Sequence, residues 1–70
     1  MIIFHLSDIL KKEGLSQNQF ARISDIRPNT INEMVNNKLK RLELETFAKL
    51  LIALKSLGYS VNDLIELKES

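Results

Sequence analysis

The side chains best suited to specific recognition lie in one short stretch, residues 29–33. Asn29, Asn32 and Glu33 carry amide or carboxylate groups, and the stretch contains no lysine. A helix face that is merely solvated would more often carry Lys/Glu pairs. Asparagine can make two hydrogen bonds to adenine, and glutamate can accept a hydrogen bond from the amino group of cytosine. These residue types therefore suit the reading of base edges in a DNA groove.

Positive charge is concentrated around this stretch, although the whole chain has a formal net charge of only +1. Residues 27–42 contain one acid, Glu33, and four cations, which are Arg27, Lys38, Lys40 and Arg41. Such a stretch can present a phosphate-binding face on an otherwise balanced chain. A solvated charge cluster explains the same residues equally well, so charge alone leaves both interpretations open.

Few other side chains could support catalysis or bind a metal. The chain has no cysteine, which excludes disulfides and thiolate metal sites, and His5 is the single histidine. His5, Ser7 and Asp8 are close in sequence, but consecutive helical positions do not face each other, so we expect no catalytic group of these three residues. Paired carboxylates and a glycine-rich phosphate loop are also missing. We therefore expect no enzymatic activity, no cofactor, no metal and no small-molecule ligand.

The apolar start of the chain, residues 1–4, does not have the features of a targeting signal. It is short and lacks a basic segment and a small-residue cleavage site. No apolar run approaches the length that spans a membrane. These features predict a cytoplasmic protein with no membrane partner, associated with the nucleoid when it is bound to DNA.

Helix start and stop signals divide the 70 residues into five predicted helices. Gly14 ends the first helix, and Ser16 with Gln19 forms a capping box that starts the second. Pro28 starts the third helix, which Asn36 and Asn37 end. The fourth runs from about Leu44 to Leu57, and a short fifth follows Ser60. The predicted fold is all-α: a compact five-helix arrangement in a single domain, residues 1–70.

The apolar positions of these helices define the predicted core. It consists of Leu6, Ile9, Leu10, Leu15, Phe20, Ala21, Ile26, Ile31, Met34, Leu50, Leu54 and Leu64.

The second and third predicted helices are short and are joined by a turn of three or four residues. A small residue, Ala21, lies where the third helix must approach closely, and Phe20, Ile26, Ile31 and Met34 can fix the angle between the two helices. This arrangement describes a helix-turn-helix, although an ordinary helical hairpin needs the same apolar residues. The polar outer face of the third helix favours the helix-turn-helix.

The order of these motifs resembles the lambda-repressor-like (Xre, Cro/repressor) helix-turn-helix family of small stand-alone bacterial or phage regulators. The resemblance extends from Leu6 to about Leu67, and four segments carry it: residues 15–21, 26–32, 36–38 and 44–46. It implies that the helix Pro28–Asn36 reads the major groove. The implied base-reading residues are Arg27, Pro28, Asn29, Asn32 and Glu33. The implied phosphate-binding residues are Gln17, Asn36, Lys38, Lys40 and Arg41.

Two positions depart from the family pattern in a way that can be tested. The family favours glycine in the turn, where this chain has Asp25, and after the recognition helix, where it has Asn37. Aspartate and asparagine are the non-glycine residues best suited to a positive φ. We therefore expect both residues to adopt positive φ.

The predicted function is sequence-specific binding of double-stranded DNA by a transcriptional regulator that acts as a homodimer. We expect the dimer to use the N-terminal leader, the fourth helix and the C-terminal residues, because the fourth helix has more apolar surface than a small domain needs. An extended leader, residues 2–4, could pair with residues 65–67. The alternative is a protein-interaction module of the same fold, such as an antitoxin or adaptor.

Overall fold

The computed structural model describes residues 1–69 and contains, in that range, five helices and one two-stranded sheet. In chain order the elements are β1 (Ile2–Phe4), α1 (Leu6–Glu13), α2 (Gln17–Ser24), α3 (Pro28–Val35), α4 (Leu44–Ser56), α5 (Val61–Leu64) and β2 (Ile65–Leu67). The predicted five-helix architecture is confirmed. The two strands are an addition to the predicted all-α class. No helix among the described residues is long and apolar enough to cross a membrane.

Local sequence signals fix the boundaries of the first two helices. Gly14 follows α1 with a φ of 66°, in the left-handed conformation that glycine adopts without strain. At the start of α2, the Gln19 N–H donates to Ser16 Oγ over 3.1 Å, and the Ser16 N–H donates to Gln19 Oε1 over 2.8 Å. This reciprocal pair satisfies N–H groups that have no partner inside the helix, so the predicted capping box is confirmed.

All five helices contribute to one core. Its fully buried side chains are Leu6, Phe20, Ile31, Met34, Leu50, Leu54 and Leu64. The predicted core is confirmed except at Leu15, which is half-buried and packs against the core from its edge. Ala53 is buried but was not predicted, because one methyl group adds little to an apolar pattern. It lies on the same face of α4 as Leu50, where a small residue lets another element approach.

The two strands form an antiparallel ribbon that brings the ends of the described chain together. Ile2 pairs with Leu67, Ile3 with Glu66 and Phe4 with Ile65. The leader is therefore extended, and it pairs with residues 65–67 of its own chain. Since side chains alternate across a strand, Ile2, Phe4, Ile65 and Leu67 share one face of the ribbon. Phe4 and Ile65 pack against the core, whereas Ile2 and Leu67 extend beyond it.

Candidate nucleic-acid interface

Helices α2 and α3 pack against each other as a helix-turn-helix. Ala21 and Ile26 are buried where the two helices meet, and the small side chain of Ala21 allows the helix backbones to approach closely. Ser24 is buried as well, and its hydroxyl donates to the Phe20 carbonyl over 2.8 Å, so no polar atom is left without a partner there. The turn begins at Asp25, and α3 begins at Pro28, where a missing N–H is no loss.

Both turns that flank α3 contain a non-glycine residue with positive φ. We call residues 25–27 the upstream turn and residues 36–38 the downstream turn. Asp25 has a φ of 58° and Asn37 a φ of 56°, which confirms the prediction for both positions. Helix α3 is thus bounded by two left-handed residues whose side chains remain available for contacts that glycine could not make.

The upstream turn is held by a side chain from α4. Lys49 Nζ lies 3.3 Å from Asp25 Oδ2 and donates to the Asp25 carbonyl oxygen, also over 3.3 Å. The Asp25 side chain is 91% exposed, so water screens this ion pair strongly. Ile26, the next residue, is 6% exposed and packs into the core. Burial of Ile26 therefore contributes more to the position of this turn than the ion pair does.

The downstream turn is held by hydrogen bonds. The Asn37 N–H donates to the Met34 carbonyl over 3.1 Å, and the Lys38 N–H donates to the Glu33 carbonyl over 2.8 Å. This is the Schellman arrangement that closes a helix at a left-handed residue. The Asn37 side chain also bonds to the backbone of Phe4 in β1, as donor and as acceptor. Sequence reasoning missed this interaction and the role of Lys49, because both partners are distant along the chain.

The predicted base-reading residues share the outward side of the helix-turn-helix. Arg27, Pro28, Asn29 and Asn32 are exposed, and Glu33 is half-buried. On the opposite side of α3, Ile31 and Met34 are fully buried. Within the helix, positions 28, 29, 32 and 33 lie on one face because they repeat at intervals of four residues. The structure therefore brings four of these five residues together on α3, and Arg27 precedes them at the N-cap.

A side-chain hydrogen bond joins the start of α2 to α3. Asn32 Nδ2 donates to Gln17 Oε1 over 3.0 Å. The bond fixes the orientation of both amides, and within residues 1–69 neither Gln17 Nε2 nor Asn32 Oδ1 has another hydrogen-bond partner. Gln17 therefore presents the two N–H donors of Nε2, which suit a phosphate, and Asn32 presents Oδ1 as an acceptor together with its second N–H, which suit a base edge.

The remaining predicted phosphate-binding residues follow α3. Asn36, Lys38, Lys40 and Arg41 are all exposed, and none of the three cations forms an ion pair within the described residues. Asn36 Nδ2 donates one of its two N–H groups to the carbonyl oxygen of Asn32, over 2.9 Å. One N–H of Asn36 is left for an external acceptor. The structure thus places these cations beside the C-terminal end of α3.

Two of these cations also border an apolar groove of about 390 Å³. Its lining consists of Ile2, Phe4, Leu39, Lys40, Arg41, Leu42, Phe47 and Ile65. The groove runs between the ribbon, the segment that follows α3 and the start of α4. Sequence reasoning did not identify it, because the strands that form one wall were not predicted to pack there.

Comparison with known proteins adds one finding. The family model described as "Cro/C1-type HTH DNA-binding domain" matches residues 5–70. The matched residues include α1 to α5 and β2, whereas β1 precedes them. No curated protein matches the chain.

Proposed function

Since the chain belongs to the Cro/C1-type HTH DNA-binding family, we propose that it is a transcriptional regulator that binds specific DNA sequences and reads the major groove with α3. The observation that carries the proposal is the outward face of α3. Asn29 and Asn32 are exposed there, and unpaired cations follow the helix at Lys38, Lys40 and Arg41. Amides suit base edges and cations suit phosphates, so the two kinds of group lie where a helix in the major groove would need them.

The base-reading set is Arg27, Pro28, Asn29, Asn32 and Glu33. The amides can bond to adenine, Glu33 can accept from the cytosine amino group, and Arg27 can reach guanine or a phosphate. Pro28 offers an apolar surface to a thymine methyl group. Because Asn32 is already oriented by Gln17, it loses little side-chain entropy on binding.

The phosphate-binding set is Gln17, Asn36, Lys38, Lys40 and Arg41. Contacts to the backbone fix the register of a protein on DNA and carry no sequence information of their own. Gln17 would bind phosphate at the start of α2, and the other four would do so after α3. Phosphate contacts on both sides of the recognition helix would hold it in the groove.

We further propose that the protein binds as a twofold homodimer, because one small module reads few base pairs. Exposed apolar side chains support this on the ribbon, where Ile2 is 58% and Leu67 65% exposed, and on α4, where Leu44 is 84% and Ile52 71% exposed. Apolar patches of this kind commonly mark interfaces. A second copy bound there would leave α3 uncovered. The two recognition helices of the dimer would then contact half-sites one DNA turn, ~34–36 Å, apart.

The test is selection of bound sequences from a random duplex library, followed by titration of the selected DNA at several salt concentrations. We expect a twofold-symmetric sequence and an affinity that falls steeply with salt, because phosphate contacts release counterions. No enrichment together with no salt dependence would contradict DNA binding. Sedimentation equilibrium tests the dimer separately, and a monomer both free and on the selected DNA at micromolar protein would contradict it.

A second candidate function is a protein-interaction module, which the apolar groove beside Lys40 and Arg41 favours. Its charge suits a partner segment that carries apolar and acidic side chains. This candidate predicts that duplex DNA does not bind with a salt-dependent affinity, so the same titration separates the two functions.

A further inference from the structure

We propose that Asn37 is a positioning residue of the DNA interface. Its side chain fastens the downstream end of the recognition helix to strand β1, and it thereby fixes the following segment, residues 38–41, which carries three cations. The inference rests on the proposed function. It adds a residue that touches no DNA, together with a strand that precedes the residues matched by the family model.

The side-chain amide of Asn37 bonds to the backbone of β1 in the way that the backbone of a third strand would. The Phe4 N–H donates to Asn37 Oδ1 over 2.7 Å, and Asn37 Nδ2 donates to the Phe4 carbonyl over 3.2 Å. In an antiparallel pair, alternate residues turn their backbone groups toward the partner strand. Met1 bonds to Lys68 and the His5 N–H to the Leu64 carbonyl, so Phe4 turns its groups away from β2. Asn37 therefore occupies the outer edge of the ribbon and satisfies both backbone groups of Phe4.

The backbone of the downstream turn does not account for an asparagine at this position. The Schellman hydrogen bonds and the φ of 56° require a left-handed residue, which glycine provides at no steric cost. What asparagine adds is the side chain, whose two hydrogen bonds go to Phe4. The choice of residue is thus explained by the link to the ribbon.

The segment after the turn is held by the packing of Leu39 and Leu42 against the edge of the core, and its backbone adds little further restraint. Residues 39–42 donate no backbone hydrogen bond within the described part of the chain, and they belong to no helix or strand. Leu39 and Leu42 are half-buried, and Lys40 and Arg41 between them are exposed. Without the link, this segment would gain conformational freedom. Phosphate binding would then have to order it, which reduces affinity.

The test uses Asn37→Gly, which keeps the turn conformation and removes the side chain. The control is Asn62→Ala, which removes an exposed amide outside the interface. Amide hydrogen exchange, measured by NMR, reports the link directly. In Asn37→Gly we expect the Phe4 amide to exchange at least about tenfold faster, a change in line with the loss of a hydrogen bond. The His5 amide, which donates to Leu64, should keep its protection. Unchanged exchange at Phe4 would overturn the proposal.

DNA titration over a salt series then tests the positioning role. We expect Asn37→Gly to weaken binding by roughly threefold to tenfold. The salt slope should become shallower by roughly 0.9 for each phosphate that the variant no longer binds. A variant that is merely less stable would lose affinity equally at every salt concentration and keep the slope. Asn62→Ala should match the wild type in both affinity and slope.

Two outcomes separate this inference from the proposed function. Faster exchange at Phe4 with unchanged affinity and slope would mean that the link forms but does not position the interface, which overturns the proposal. A wild type that binds no selected DNA would overturn the proposed function, and the positioning role with it.

Discussion

The upstream and downstream turns of α3 meet the same backbone requirement by different means. Each turn contains one residue in the left-handed conformation, Asp25 in the upstream turn and Asn37 in the downstream turn, at a position where the family favours glycine. The upstream turn continues into Ile26, which is 6% exposed. The downstream turn continues into an exposed cation, Lys38, and is held from outside by two hydrogen bonds to Phe4. One turn is therefore fixed by burial and the other by hydrogen bonding.

This difference between the turns matches the proposed roles of the residues near them, which are base reading near the upstream turn and phosphate binding near the downstream turn. Base reading requires groups held within a few tenths of an ångström, and the residues proposed for it begin at Arg27, in the turn that the core fixes. Phosphate contacts tolerate a wider range of positions, and four of the five residues proposed for them, all except Gln17, lie in or after the hydrogen-bonded turn. Four predictions test the comparison between the two turns.

The largest effect is expected at the upstream turn. Ile26→Ala should lower the free energy of unfolding by roughly 2–5 kcal/mol, because it leaves a cavity beside α2 and α3. Leu39→Ala, after the downstream turn, should cost clearly less because Leu39 is only half-buried. Urea denaturation measures both. If Ile26→Ala does not fold, Ile26→Val should still cost roughly 0.5–1.5 kcal/mol. Equal costs at positions 26 and 39 would remove the distinction between the turns.

The next effect concerns sequence preference. Asn29→Ala and Glu33→Ala should each change the preferred base at one position, with a loss of roughly 1–3 kcal/mol of discrimination per base contact. The measurement is binding to a panel of duplexes that carry single base changes in the selected site. If neither variant altered the ranking of the duplexes, the reading face would have been assigned to the wrong side of α3.

A smaller and less selective effect is expected downstream of α3. Lys40→Ala and Arg41→Ala should weaken binding to all duplexes by similar factors, because phosphates are the same in every sequence. Each should reduce the salt slope by roughly 0.9. The same duplex panel, titrated at several salt concentrations, provides the measurement. A change of base preference in these variants, with none in Asn29→Ala, would reverse the proposed roles.

The smallest effect is expected at Asp25. Asp25→Gly removes an exposed ion pair, which stabilises the fold by roughly 0–1 kcal/mol. It also removes the strain of a non-glycine residue with a left-handed φ, because glycine adopts this conformation freely. We expect these two changes to offset each other, so that the free energy of unfolding changes by less than about 0.5 kcal/mol. Asn37→Gly should cost more, since it removes two hydrogen bonds. Thermal unfolding of the two variants side by side makes the comparison, and a larger cost at Asp25 would contradict it.

The features that could be predicted from the sequence depend on neighbours in sequence. The capping box joins residues three positions apart, and the positive φ of Asp25 and Asn37 follows from residue type at a helix end. The start of α4 at Leu44 was also predicted correctly, and its end differs by one residue, at Ser56. Helix ends are set by such short-range patterns, so the position of α3 in the chain could be inferred.

The features that escaped prediction join distant residues. Strand segments of three residues are too short for a periodic pattern, so only the extended leader and its candidate partner could be proposed. The bond pair between Asn37 and Phe4 spans 33 positions, and the bond from Lys49 to Asp25 spans 24. Nothing near Asn37 in the sequence indicates that its amide has a partner in the leader.

The ribbon also has a consequence for the order of folding. Its outermost hydrogen bond, from the Met1 amine to the Lys68 carbonyl, joins residues 67 positions apart. Closing so long a loop costs more chain entropy than packing α2 on α3, which are neighbours in sequence. We therefore expect the helices to assemble first and the two strands to pair last. The proposed recognition helix, α3, would form early in folding, and its downstream end would be secured only when the two ends of the described chain meet.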